Sequence, residues 1–368
     1  MTHQTLYRKY RPKTFDETIG QEHITTTLSN QVKSGKINHA YLFTGTRGVG
    51  KTSIAKIFAR AINCENSSNG SPCGKCRTCE ELEKASSLDI LEIDAASNNR
   101  VDEIRELREN VQFMPAVSKY KVYIIDEVHM LTDSAFNALL KTLEEPPAHI
   151  VFILATTEVH KLPATILSRC IRFDFKLVSV KTLCSHLENI FKKEGITADS
   201  EAIKIIASKG EGSVRDTLSL ADSVIAYCGK NITKEDALKV LGVSDKQGIL
   251  NLASAIINKD IGESLTEINR LCESGKNISV FAKDLTVLFR DLLIVKTCKQ
   301  PNDILLLTND IFERYNEIAL KCEEKQLIEY IKIFSSIEAE LKFSLSPRIL
   351  LETATLIAIS DDEDLKKN

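Results

Sequence analysis

The stretch GTRGVGKT, Gly45 to Thr52, lies between an apolar run, AYLF, and a helix-forming run, SIAKIFARAIN. That arrangement leaves the chain few folds to choose from. It matches the Walker A pattern G-x-x-x-x-G-K-[ST] in the strand–loop–helix context the pattern requires. Gly45, Gly48 and Gly50 let backbone N–H groups turn inward around phosphate oxygens. Lys51 supplies positive charge at the β/γ-phosphates, and the Thr52 hydroxyl can ligate Mg²⁺. With Thr46, Val49 and Ser53 these residues form the expected nucleotide-binding loop. The alternative is a glycine-rich turn before a helix, and the flanking strand and helix weigh against it.

A strand feeding such a loop needs parallel neighbours. AYLFTG (40–45), LDILEIDA (88–95), KVYIIDE (121–127), HIVFILATT (149–157) and CIRFDF (170–175) are near-continuous apolar runs, as parallel strands buried on both faces require. Helical stretches between them predict an α/β layered core. From about 178 the apolar positions recur at helical spacing, and successive segments end at glycine, the usual C-cap residue. The expected organisation is a nucleotide-binding core over 1–178 with a cysteine insertion at 64–79, a small helical domain over 179–242, an all-α domain over 243–360, and a charged tail over 361–368 that reads as frayed or cut. A length of 368 residues accommodates two or three such domains.

VYIIDEVH (122–129) ends a buried strand in two carboxylates. Asp126 is placed to hold Mg²⁺ and Glu127 to polarise the attacking water, as in a Walker B motif; the plainer reading is a solvated acidic pair. Further along, LATTEVHKLPATILSRC offers Thr156 or Thr157 as a hydroxyl near the γ-phosphate. Arg169 follows a short helix, where spacing alone favours a surface arginine or a pair with Asp174. GSVRD (212–216) sets Arg215 early in a helix from which it could reach back to the phosphates.

The cysteines of CENSSNGSPCGKCRTC are spaced C-x8-C-x2-C-x2-C. Cys64, Cys73, Cys76 and Cys79 suit a closed tetrahedral Zn²⁺ site, although C-x2-C-x2-C also occurs in iron–sulfur proteins. The helix between Lys51 and Cys64 would keep such a cage about 16 Å from the phosphates, a distance for support and not chemistry. The other six cysteines are read as small buried hydrophobes.

AASNNRVDEIRELREN (95–110) looks like a helix capped by Asn99. Such an N-terminus offers N–H groups to phosphate; the alternative is an ordinary capped surface helix. A net charge of −3 confines any such contact to a local patch. No apolar run approaches the roughly 20 residues of a membrane helix. MTHQTLYRKYRP lacks an apolar export region, and ten cysteines without one point to a reducing cytoplasm.

Taken in order, TLYRKYRPKTFDETIGQEH, GTRGVGKTS, the cysteine cluster, IIDEVHML, ALLKTLEEPP, LATTEVHKLP, ILSRC and GSVRD resemble the bacterial clamp-loader ATPases of the DNA polymerase III gamma/tau type, within the AAA+ superfamily. The resemblance covers nearly the whole chain and is densest over 1–242. It implies a RecA-like parallel-sheet P-loop core, a helical lid and an all-α collar. It also implies an ATPase using ATP, Mg²⁺ and Zn²⁺ that opens a sliding clamp and loads it on primed DNA. Its partners would be delta and delta-prime subunits and further copies of itself; no polymerase site and no membrane are expected. By the same resemblance Arg169 is an arginine finger for a neighbour's nucleotide, Arg215 the sensor-2 arginine, and Thr156 or Thr157 sensor 1. Tyr7, Arg8, Tyr10, Arg11 and Pro12 would wrap the adenine, with Tyr10 or Arg11 on the base, and the helix after 98 would track the DNA backbone, with Asn98, Asn99 and Arg100 as its candidate DNA contacts. A different AAA+ remodeller and a catalytically idle scaffold are the competing readings; the SRC motif and zinc knuckle oppose the first, the intact Walker residues the second.

Overall fold

The computed structural model describes residues 4–83, 87–97, 107, 109–241, 246–273, 278–305, 309–341 and 343–360. Asn98, Asn99, Arg100 and the start of their predicted helix lie outside these residues. The chain forms two compact units, Met1–Leu241 and Gly242–Asn368.

The first unit is built on β1 (Ala40–Thr44), β2 (Ile90–Asp94), β3 (Lys121–Asp126), β4 (Ile150–Thr156) and β5 (Ile171–Asp174). All pairs are parallel, in the order β2-β3-β4-β1-β5. The central strands β1 and β4 are buried at every position, whereas the edge strands β2 and β5 are only partly covered. Alternate residues divide between two cores, as strand pleating demands. Tyr41, Phe43, Ile124 and Ile153 face the helices Glu22–Ser34 and Lys51–Ile62, where Ile24, Leu28, Ile54 and Phe58 pack. Leu42, Tyr123, Ile125 and Leu154 face the helix Asp133–Glu144 through Phe136, Leu139 and Leu143. Tyr41 meets Phe58 edge-on at 4.8 Å, and each such fully buried ring contributes about 1.5–3 kcal/mol.

Register fixes what the sheet presents at its C-terminal edge. Thr44 lies opposite Thr156, and Asp94 opposite Asp126, so the polar residues that end these strands share one rim.

A helical lid follows: Val180–Glu194, Ser200–Lys209, Val214–Cys228 and Lys234–Val240. Ser179, Ser213 and Thr233 cap their helices through side-chain oxygens, and Gly195, Gly210 and Gly229 end them. Leu6, from the start of the chain, belongs to the lid's hydrophobic core beside Leu183, Leu187 and Leu218. The N-terminal segment is thereby stitched to the lid.

The second unit is all helical. Ile278–Thr297 and Glu324–Leu341 are its centre, with Phe289 against Tyr330 at 5.0 Å and Phe334 at 5.7 Å. Phe343, Leu345 and Ile349 remain exposed. Among the described residues no helix is long and apolar enough to cross a membrane. All ten cysteines are free thiols; of the six outside the insertion only Cys322 is buried, the other five being half-covered, Cys184, Cys228 and Cys272 on helices and Cys170 and Cys298 just outside regular elements, a correction to the expectation that all six lie in the interior.

Candidate nucleotide-binding site

The loop joining β1 to the helix Lys51–Ile62 is forced into shape by its glycines. Gly48 has φ +80°, and a Cβ there would meet Ser213 Oγ at 2.0 Å. Its carbonyl accepts the Arg215 N–H at 3.3 Å, so the phosphate loop and the lid helix touch backbone to backbone. Gly45, at φ +148°, would drive a Cβ into the Phe175 carbonyl at 2.7 Å.

Lys51 is buried, and its ammonium donates to the carbonyls of Gly45 at 2.7 Å and Thr46 at 2.9 Å. Burial pushes its pKa down, while the carboxylates of Glu127 and Asp126 pull it back up. The Thr52 hydroxyl donates to Asp126 Oδ2 at 2.7 Å. The two candidate Mg²⁺ ligands, remote in sequence, are thus within one hydrogen bond of each other.

Glu127 follows Asp126 in a left-handed conformation, φ +46°, unusual for a residue with a side chain. Its Oε2 accepts the Thr157 N–H at 3.2 Å and the Thr157 hydroxyl at 3.0 Å, and His129 Nδ1 stands 3.4 Å away. Thr156 is fully buried and bonded instead to His129 Nδ1, at 3.0 Å. The two threonines that the sequence left as alternatives therefore have different neighbours: Thr157 holds the glutamate, and Thr156 holds the histidine beside it.

A cavity of about 810 Å³ opens in front of these groups. Tyr7, Arg8, Tyr10, Arg11 and Pro12 wall one side; Gly48 to Ser53, Asp126 and Glu127 form the floor, and Arg215 comes from the lid. Gly45 and Thr46 contribute through their carbonyls to Lys51. The Arg215 guanidinium stands 5.1 Å from the centre of the Tyr7 ring. Arg11 Nε donates to Ser53 Oγ at 3.1 Å, whereas the Tyr10 hydroxyl is committed to Glu194 of the lid.

Sequence reasoning missed Ile19, Glu92, Asp94, His186 and Leu218, which also line the cavity. Asp94 carried a usable signal, an acid ending an apolar strand. His186 carried none, sitting as it does inside an amphipathic lid helix.

Arg169 lies away from this cavity. Its guanidinium bonds Glu144 at 2.7 Å and the Thr165 carbonyl at 2.7 Å, with a third of the side chain exposed. Asp174, the partner that spacing favoured, pairs with Arg172 at 2.8 Å instead, because residues two apart on a strand share a face.

Beyond the far end of the Lys51–Ile62 helix, the sulfurs of Cys64, Cys73, Cys76 and Cys79 all lie within 4.8 Å of one another. Metal–sulfur bonds of about 2.3 Å put tetrahedral sulfurs about 3.8 Å apart, so the donor set fits a four-coordinate metal with little movement. Backbone N–H groups already point at the sulfurs: Cys73 N–H to Cys64 at 3.3 Å, Cys76 N–H to Cys73 at 3.3 Å, Cys79 N–H to Cys76 at 3.4 Å. Such bonds stabilise thiolate; N–H donors, first that of Lys75, hold Cys73 well below the ordinary thiol pKa.

Comparisons with known proteins extend this geometry. Residues 20–179 match the family described as DNA polymerase III, delta subunit; 182–230 match the DNA polymerase III clamp loader subunit ATPase lid domain; 232–366 match DNA polymerase III subunits gamma and tau domain III. The chain is 44% identical over 356 residues to DNA polymerase III subunit tau of Bacillus subtilis, covering 97% of this chain and 63% of that protein. It is 39% identical over 366 residues to DNA polymerase III subunit gamma of Buchnera aphidicola, covering 98% and 99% respectively. Among solved structures, a point variant of Thermotoga maritima RuvB superposes with a TM-score of 0.50 at 21% identity, covering 67% of this chain and 79% of the other, a likeness of fold alone. The chain spans 63% of the Bacillus tau subunit and 43% of those of Salmonella typhimurium and Escherichia coli. With a match to the clamp loader subunit ATPase lid domain joined to one to domain III of subunits gamma and tau, and a gamma relative matched over 99% of its length, the chain belongs to the DNA polymerase III gamma/tau family.

Proposed function

We propose that this chain is an ATPase motor subunit of the DNA polymerase III clamp loader, binding and hydrolysing ATP to open the sliding clamp and load it on primed DNA. The carrying observation is the hydrogen bond between Thr52 and Asp126 at the floor of a cavity that also receives Lys51, Glu127 and Arg215. In this reading the loop N–H groups and Lys51 hold the β- and γ-phosphates of ATP. Thr52 and Asp126 would hold Mg²⁺, which would supply positive charge beside the phosphates. Glu127 orients the attacking water once its carboxylate leaves Thr157, and Arg215 and a threonine of the 156–157 pair sense the γ-phosphate. The segment Tyr7–Pro12 encloses the base.

Arg169 completes the site of a neighbouring subunit. Its position outside its own cavity supports a role in trans, worth about 10³–10⁵ in rate where such arginines have been measured. Neighbours would be delta and delta-prime subunits and further copies of this chain. The exposed Phe343, Leu345 and Ile349 of the helical unit support its role as an assembly collar. The proposed division is a core over 1–178, a lid over 179–242, a collar over 243–360 and a tail beyond. Asn98, Asn99 and Arg100 would touch the DNA backbone. Cys64, Cys73, Cys76 and Cys79 would hold structural Zn²⁺, and the six other cysteines, all free thiols, support a reducing cytoplasm.

ATP hydrolysis is measured on the assembled complex with and without sliding clamp and primed DNA. Hydrolysis should rise strongly when both are present. A rate indifferent to both additions would remove the loader reading and leave an AAA+ ATPase of another kind.

A further inference from the structure

The segment that walls the cavity is anchored outside it, at both ends. Toward the lid, the Leu6 N–H donates to Asp222 Oδ2 at 2.8 Å, and Glu194 pairs with Lys9 and accepts from Tyr10. At the other end the anchors belong to the cysteine insertion and the helix leading into it. The Phe15 N–H donates to Ser71 Oγ at 3.2 Å, between two buried residues. Lys13 Nζ pairs with Glu83 at 2.7 Å, and Arg60 donates to the Lys13 carbonyl at 3.0 Å.

Ser71 lies inside the loop that Cys64 and Cys73 close. It lies between Cys64 and Cys73, its N–H and carbonyl are paired with Ser68 at 2.8 and 3.1 Å, and Cys73 closes back on Cys64 two residues later. Glu83 ends the short helix Arg77–Glu83 that carries Cys79. The strap therefore runs from lid to knuckle, and Arg11 and Pro12, which line the cavity, come just before the knuckle anchors at Lys13 and Phe15.

We propose that the metal-closed knuckle sets nucleotide affinity by fixing this strap, with Ser71 as a positioning residue acting through Phe15. The inference rests on reading the P-loop cavity as an ATP site and the thiols as a metal site. The knuckle lies beyond a helix of twelve residues, about 18 Å from the phosphates, so its influence falls on binding and not on the bond-breaking step.

Titration of the full chain with a fluorescent ATP analogue in Mg²⁺, alongside metal content and thermal melting, tests this. Ser71→Ala should weaken binding about three- to tenfold, the loss of one buried hydrogen bond, with metal content unchanged. Turnover of the assembled complex at saturating ATP should stay at the wild-type value, and Ser71→Thr should restore affinity. Cys76→Ser should lose metal and weaken binding by the same route, so adding Ser71→Ala to it should weaken binding no further. Wild-type affinity in Ser71→Ala, or full additivity of the two changes, would overturn the inference. If Cys76→Ser does not fold, the Ser71 pair decides alone. A wild-type chain that binds the analogue no better than Lys51→Ala would instead refute the nucleotide reading itself.

Discussion

The two ends of the central sheet treat their polar groups in opposite ways. At the N-terminal end, Asp89 is buried and its carboxylate accepts four hydrogen bonds, from the N–H groups of Ala116, Val117 and Ser118 and the Ser118 hydroxyl, at 2.7 to 2.9 Å. Asn63 is equally saturated, accepting from the Tyr120 N–H at 2.7 Å and donating to the carbonyls of Tyr120 and Ala59. At the C-terminal end the bonds are of another kind. Lys51 rests on loop carbonyls, Thr52 on Asp126, and Glu127 on Thr157, contacts that a phosphate, a cation or a water can replace one for one. Saturation by fixed backbone builds structure; pairing among charged and hydroxyl side chains around a cavity leaves chemistry available.

The contrast breaks if substitutions at the two ends behave alike. Of the substitutions at the two ends of the sheet, Glu127→Gln should have the largest effect, because it removes the group that orients water while keeping the side chain's shape. Stimulated turnover should fall about 10²–10³-fold with nucleotide affinity within about twofold of wild type, read by steady-state ATPase and equilibrium binding.

Asp89→Asn should do the reverse, costing about 1–3 kcal/mol in denaturant unfolding with turnover per folded molecule unchanged. Its pH dependence has a definite sign. Burial alone would raise the Asp89 pKa, but the backbone donors outweigh it and the folded value lies below the ordinary one. The carboxylate's stabilisation is therefore complete above the unfolded pKa of about 3.9 and is lost as pH falls through the lower folded value. The gap between wild type and Asp89→Asn should narrow below about pH 4; a gap constant down to about pH 2 would show that the charge is not what the loop holds.

The smallest effect is expected at Thr157→Val, which removes the hydroxyl donor to Glu127 and keeps the N–H. A change in turnover of about two- to fivefold, in either direction, should appear with stability nearly unchanged. No change at all would mean that the Thr157 N–H and the backbone conformation hold the glutamate without the hydroxyl.

Legibility in the sequence divides along a related line. The P-loop, the acidic strand end, the cysteine knuckle and all five strands were legible because each is a run of consecutive residues whose types and spacing carry the chemistry. What was not legible depends on register or on packing across elements. Asp94 reaches the rim because it pairs with Asp126, and nothing local states that pairing. Thr156 and Thr157 look equivalent until the end of β4 turns one toward His129 and the other toward Glu127. Leu6 reads as the start of the core but packs in the lid, since a short apolar residue declares no partner. Arg169 found Glu144 from a distant helix rather than Asp174 nearby, and no spacing rule reaches across elements.

In the proposed function this chain binds ATP in its own cavity and a neighbour's Arg169 helps to hydrolyse it. Arg169→Ala in every copy of the assembled complex tests it directly, with nucleotide binding and hydrolysis measured on the same sample. Binding should stay within about twofold of wild type, while the rate stimulated by clamp and primed DNA should fall about 10³-fold or more. Undiminished stimulated hydrolysis, or loss of nucleotide binding by the isolated variant chain, would contradict it.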